Sequence, residues 1–348
     1  MKKIKTLFIA LQFIGSAAFG QTESKEELAA KIQAFRNETY KAVEAFLNAS
    51  NNVQNRIAAV EAYPFIYDEA QIAQARKLVL DESQDPRLRA TALRKIVNAV
   101  PQDQELGSKV ISWFQNPKTP QPLRDESLKT LEALSFSGFT MYEKRQELMA
   151  ALRTIVRDPN IEYRRFAFNF LLAHGDSFGQ SVLIDQLEKN KSDLLPQAEA
   201  IRVLTLNPHG DYLPTVFKVF QRASDPETKV EAIAALGNYQ PAKRTIIAVL
   251  KDKKQSKQVR SVALGAINAN YPAEFAAQAQ SLLIDDKESD DLKVAAINME
   301  KYRRKSNKGR EKKADDFDRA VKRLKDNGKS APLREAGEEY IEAVDPAL

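Results

Sequence analysis

One arrangement of polar and apolar positions recurs along the chain. A basic or polar residue is followed, after two positions, by a small residue and then a large apolar one. Arg56 leads to Ala59-Val60, Arg89 to Ala92-Leu93, Arg124 to Ser127-Leu128 and Arg164 to Ala167-Phe168. Gln197 leads to Ala200-Ile201, Lys229 to Ala232-Ile233, Arg260 to Ala263-Leu264 and Lys293 to Ala296-Ile297. The opening residues lie 33, 35, 40, 33, 32, 31 and 33 positions apart, a near-constant period that marks a unit repeated in tandem. A weaker ninth copy starts at Arg334, with Gly337 in the small position and Glu338 in the apolar one.

Within a copy the apolar positions continue along one helical stripe. Ala92, Leu93, Ile96 and Val97 show it, as do Ala263, Leu264 and Ile267. A small residue in such a stripe lets a neighbouring helix come close. Upstream of each copy runs a second amphipathic segment, such as Leu148–Val156, Tyr212–Phe220 and Ile246–Leu250. Each unit is therefore predicted to be two helices. Asp85-Pro86, Asp158-Pro159 and Asp225-Pro226 precede second helices, and Thr119-Pro120 is a fourth version. The carboxylate accepts from free N–H groups of the first turn, and proline tolerates the first helical position.

These features together, an Asp-Pro turn, a basic residue and a small-apolar pair, resemble the HEAT repeat family over residues 51–304. The runner-up is an armadillo-like or other α-solenoid; tetratricopeptide repeats fit worse, since their Trp-Leu-Gly-Tyr pattern is missing. The resemblance implies an all-α fold, a right-handed superhelical solenoid of antiparallel helix pairs. First helices would line its convex face and second helices its concave face. It also implies that the basic residue opening each copy ties units together through loop carboxylates or carbonyls, with Arg89 to Asp85 and Lys229 to Asp225 as suitable spacings. Residues 21–50 read as an N-terminal capping helix with Leu28, Ile32, Phe35, Val43, Phe46 and Leu47 in its stripe. Residues 305–348 read as a basic helical C-terminal cap, in which Phe317, Val321 and Leu324 recur at helical spacing.

Residues 1–20 have the pattern of a cleavable secretory signal peptide. Lys2, Lys3 and Lys5 form a positive start, Leu7–Leu11 and Phe13-Ile14 a short apolar run, and Ala18-Phe19-Gly20 a small-residue cleavage site. A cut after Gly20 predicts a periplasmic or secreted mature chain from a bacterium, with no transmembrane segment. The leader also explains much of the basic balance. The formal charge of +6 falls to +3 without it, too little to argue for nucleic acid. The absence of cysteine excludes disulfides, thiolate metal sites and a lipid-anchored N-terminal cysteine.

Motifs for catalysis are missing: no phosphate loop, no His-Glu-x-x-His, no Gly-x-Ser-x-Gly. No cofactor and no metal are expected. His174-Gly175-Asp176 and His209-Gly210-Asp211 are 35 residues apart. They read as helix stops followed by capping aspartates, with a paired acid/base or metal site as the sharper alternative. The binding candidates lie five positions after each opening residue, beside the apolar stripe: Arg94, Lys129, Asn169, Arg202, Ala234, Gly265 and Asn298. Arg94, Lys129, Asn169, Arg202 and Asn298 would form a polar, partly positive strip on the second helices. A further basic surface is expected from Arg303, Arg304, Lys305, Arg310 and Lys312. The leading expectation is an exported, non-catalytic scaffold that binds a protein partner in the cell envelope through its concave face. The alternatives are a HEAT-like lyase or enzyme subunit, for which Trp113-Phe114 would mark an aromatic cleft, and a binder of an envelope polyanion or acidic lipid surface.

Overall fold

The computed structural model describes residues 24–135, 143–306 and 315–344. The expected leader, Arg310 and Lys312 lie outside the described residues. Among those described, every regular element is helical. The chain divides into two units, residues 1–158 and 159–348.

The first unit contains α1 (Lys25–Leu47), α2 (Val53–Val60), α3 (Glu69–Leu80), α4 (Pro86–Lys95), α5 (Gln104–Gln115), α6 (Gln121–Ser135) and α7 (Arg145–Ile155). Here α1 packs on α2, α3 on α4 and α5 on α6, while α2, α4 and α6 follow one another in file. The segment read as an N-terminal cap is thus the first helix of the first pair. A capping box opens it: Glu27 N–H donates to Ser24 Oγ at 3.1 Å and Ser24 N–H to Glu27 Oε2 at 3.3 Å. Only the C-terminal half of its stripe is covered. Val43 and Phe46 are buried, whereas Leu28 and Ile32 remain exposed.

The second unit contains α8 (Ile161–Ala173), α9 (Ser177–Glu188), α10 (Gln197–Leu204), α11 (Leu213–Arg222), α12 (Pro226–Leu236), α13 (Lys243–Lys251), α14 (Lys257–Asn270), α15 (Pro272–Ile284), α16 (Asp290–Ser306), α17 (Asp316–Asn327) and α18 (Ala331–Val344). The even-numbered helices α8 to α18 pack in file, each on the next, and α9, α11, α13, α15 and α17 each pack on the helix that follows. The degenerate ninth copy is a true pair, α17 with α18. Gly337 holds the small position because a Cβ there would sit 3.1 Å from the Lys325 backbone.

The small residues explain the file. Ala92, Ser127, Ala167, Ala200, Ala232, Ala263 and Ala296 are all 0% exposed, so no room is left for a larger side chain. The Asp-Pro caps mostly form as expected. Arg87 N–H donates to Asp85 Oδ1 at 2.8 Å and Thr228 N–H to Asp225 Oδ1 at 2.7 Å. Asp158 differs. Asn160 caps α8, and the buried Asp158 carboxylate accepts from Arg124 instead.

Basic residues that open six of the copies form a ladder. Nε of Arg56, Arg89, Arg124 and Arg260 donates to the carbonyl of Phe46, Val79, Phe114 and Leu250, at 2.7, 2.9, 2.9 and 2.7 Å. Each acceptor is the penultimate residue of the preceding helix, where carbonyls have no helical partner. The far end of the side chain reaches the next inter-helix loop. Arg124 meets Asp158, and Arg260 holds Glu288 with two bonds at 2.9 and 2.6 Å. Lys229 Nζ donates to Gln255 Oε1 at 2.8 Å and Arg164 Nε to the Leu194 carbonyl at 2.7 Å. These links replace the expected ties to Asp85 and Asp225: Asp85 binds Arg87, and the Lys229 ammonium turns to Gln255.

Candidate partner-binding face

In the first unit Arg94 on α4 and Lys129 on α6 are exposed; in the second, Asn169 on α8 and Arg202 on α10 are exposed and Asn298 on α16 is half-buried. The equivalent positions on α12 and α14 are Ala234 and Gly265. Asn298 is therefore cut off from Arg202 by two helices with nothing polar in register.

The arginines of this row are paired with the next helix in file. Arg94 lies 3.7 Å from Glu126 and donates to Thr91 Oγ1 at 3.4 Å. Arg202 gives both Nε and Nη2 to Glu231 Oε1, at 3.0 and 2.6 Å, with Glu227 at 3.9 Å. Arg165 binds Glu199 through two bonds at 2.7 and 3.1 Å. Across α8, α10 and α12 the order is Arg165, Glu199, Arg202, Glu231, a row of alternating sign. The sequence reading missed its acidic half. The signal was there, because Glu126, Glu199 and Glu231 each stand two positions after the residue that opens their copy.

Burial sets the electrostatics of the α4–α6 part. Glu126 is buried, which pushes its carboxyl above the usual range against the pull of Arg94, Lys129 and Lys95. Lys95 is also buried and donates to the Tyr63 carbonyl. Burial first, then Arg94, draws its ammonium down to about 8. In the second unit the bond it donates to Glu231 raises the Arg202 guanidinium above its ordinary value. A fixed, paired guanidinium presents its remaining donors in one orientation.

Of the expected basic surface at residues 303–305, Arg304 is the member whose side chain is enclosed. Arg304 donates to Glu300 Oε1 at 2.6 Å, Asp318 Oδ1 at 2.7 Å and Asp315 Oδ2 at 2.8 Å. Its guanidinium also lies 5.6 Å from the centres of the Phe317 and Tyr340 rings. Tyr340 OH donates to Asp318 Oδ1 at 2.7 Å, and Arg303 grips Glu300 with bonds at 2.7 and 2.6 Å. Burial raises the Asp318 carboxyl, but the bonds it accepts outweigh burial and hold it below its ordinary range. Lys301 adds a bond to Glu339 at 2.6 Å. Of the named cluster, Lys305 is exposed and Arg303 half-buried. The network locks α17 and α18 onto α16.

The two His-Gly-Asp triplets are not equivalent. Gly175 adopts φ +70° and ends α8, the Asp176 N–H returns to the Leu171 carbonyl at 2.9 Å, and Asp176 caps α9 through the Gly179 N–H at 2.8 Å. His174 stacks on Phe170 with ring centres 4.2 Å apart. Asp211 caps nothing, since α11 begins at Leu213 after Tyr212. Among the described residues no group of three or more acids and histidines could hold a metal ion, and no helix is long and apolar enough to cross a membrane. Trp113 is buried in α5 beneath the Arg89 guanidinium, 5.3 Å from its ring centre. Comparison with protein-family models and with curated proteins finds no match to this chain.

Proposed function

We propose that the chain is an exported, HEAT-like repeat scaffold that recognises a protein partner through the exposed faces of its second helices. The observation that carries this reading is the alternating row Arg165, Glu199, Arg202, Glu231 across three helices packed in file. Charges fixed in register by neighbours are pre-organised for a complementary surface, and such complementarity gives specificity. A row that holds as many carboxylates as guanidiniums suits a mixed-charge protein surface better than a polyanion. The first unit offers its own smaller version in Arg94, Glu126 and Lys129.

The test is capture of the tagged chain with its cross-linked partner from the native cell envelope, read by mass spectrometry. The variant is the double swap Arg202→Glu with Glu231→Arg, which preserves the ion pair and reverses its polarity. The expected outcome is one dominant partner lost in the swap while the helical circular dichroism and unfolding midpoint stay unchanged. Equal capture by both proteins would remove this face from the interaction. The mass of the chain recovered from the envelope, starting at Gln21, tests the leader.

A further inference from the structure

The ladder of basic residues has one rung that runs into a second cation. Arg124 and Arg260 each meet a carboxylate from the next loop, Asp158 or Glu288, and Lys229 meets Gln255. Gln255 and Glu288 stand five positions before the next opening residue. For Lys293 the corresponding position, five before Arg334, is Lys329. A second cation has taken the acceptor's place. Lys293 is only 4% exposed, and its ammonium makes no hydrogen bond or ion pair to any described residue. Asp285, whose carboxyl Lys293 helps to lower, is already engaged by Lys253 at 2.5 Å.

A cleft of about 290 Å³ opens at this rung, between the α15–α16 loop, α17 and the start of α18. Lys293, Arg323, Lys329 and Asn327 line it together with Asp286 and Asp290. The two acids do not complete the rung. Asp286 turns its Oδ1 to Arg323 at 3.3 Å and its carbonyl to Lys329 at 3.0 Å. Asp290 sits in the first turn of α16, where free N–H groups favour a carboxylate. Three cations against two carboxylates leave one positive charge in excess, and Lys293, 4% exposed as a residue, is an enclosed one that lines the cleft. An ammonium that opens only into a cleft and has no bonded carboxylate gains from an anion placed there.

We propose that this cleft is an oxyanion-binding site, in which a phosphoryl or carboxyl group supplies the negative charge that Asp158 and Glu288 supply at the other rungs. Lys293 and Lys329 donate to it as point charges, Arg323 offers a planar pair of donors, and the Asn327 amide adds a neutral one. The site belongs to the second unit alone and is independent of the face described above.

Titration calorimetry on the full chain at fixed ionic strength tests it, with inorganic phosphate and succinate as separate probes against chloride. Saturable one-to-one binding of either probe is expected, and the tighter one identifies phosphoryl or carboxyl recognition. Lys293→Met should weaken that binding at least about tenfold. Lys329→Glu installs the missing carboxylate. It should abolish binding and leave the unfolding midpoint in chloride at or above that of the parent, which keeps the result readable if Lys293→Met folds poorly. Absence of binding by both probes, or undiminished binding by Lys329→Glu, would overturn the proposal.

Discussion

Thr119 occupies the rung position that Gln255 and Glu288 hold elsewhere, five residues before Arg124. Its short side chain leaves Arg89 Nη2 buried and without a hydrogen-bond partner, with only the Trp113 ring below the guanidinium. Burial accordingly holds Arg89 below its ordinary value, against the pull of Glu82 and Asp81. Thr119→Glu should add about 1 kcal/mol of stability by satisfying that donor, read as a higher urea midpoint at unchanged slope. No gain would mean that the indole face already meets the guanidinium's need. Lys95 poses the opposite problem, a cation buried beside another cation. Its folded value of about 8 lies below the ordinary 10.5, so between those limits the unfolded chain binds the extra proton. Stability therefore rises with pH across that window, and the penalty is fully present below about 8. The parent should gain on Lys95→Met as pH climbs from 7 to 10.5, followed by urea midpoints. A constant difference would place the ammonium in water. None of this was legible beforehand, because the charge of a lysine says nothing about its burial.

At the scale of the element, the legible features were local ones. The small-apolar pairs mark helices because both residues lie on one stripe within a single turn, and the cap at Asp85 needs only the next two residues. Replacing Ala232 by Phe should destabilise by about 1–3 kcal/mol through overpacking of α12. Thermal unfolding followed at 222 nm checks this, and an unchanged midpoint would mean the file has slack the 0% exposure of Ala232 denies. The same dipeptide fails as a cap at Asp158-Pro159 because a residue 34 positions earlier, Arg124, captures the carboxylate. Asn160 then does the capping two residues later. Helix α1 shows the other limit of pattern reading. A continuous stripe does not say how far a neighbour extends along it, and α2 is too short to cover Leu28 and Ile32.

At the scale of the molecule, the repeat period foretold the all-helical architecture, and even the ninth copy with its Gly337. The charge density after residue 300 did not show that Arg304 would be enclosed, since it finds Asp315 and Asp318 more than ten positions on and lies over the Tyr340 ring of α18. Density can be counted in a sequence; partners that fold back from another helix cannot. The ladder itself has a direction. Every forward link runs from a basic side chain to a loop that lies later in the chain, at Arg124, Arg164, Lys229 and Arg260 alike. A chain emerging from its N-terminus therefore ends, after any of these four pairs, in a rung whose acceptor has not yet been made. At these four rungs the next loop supplies the acceptor, and truncation from the two ends is unequal. Cutting the chain just after one of these four pairs strands its cation, whereas cutting whole pairs from the N-terminus leaves every remaining forward link intact.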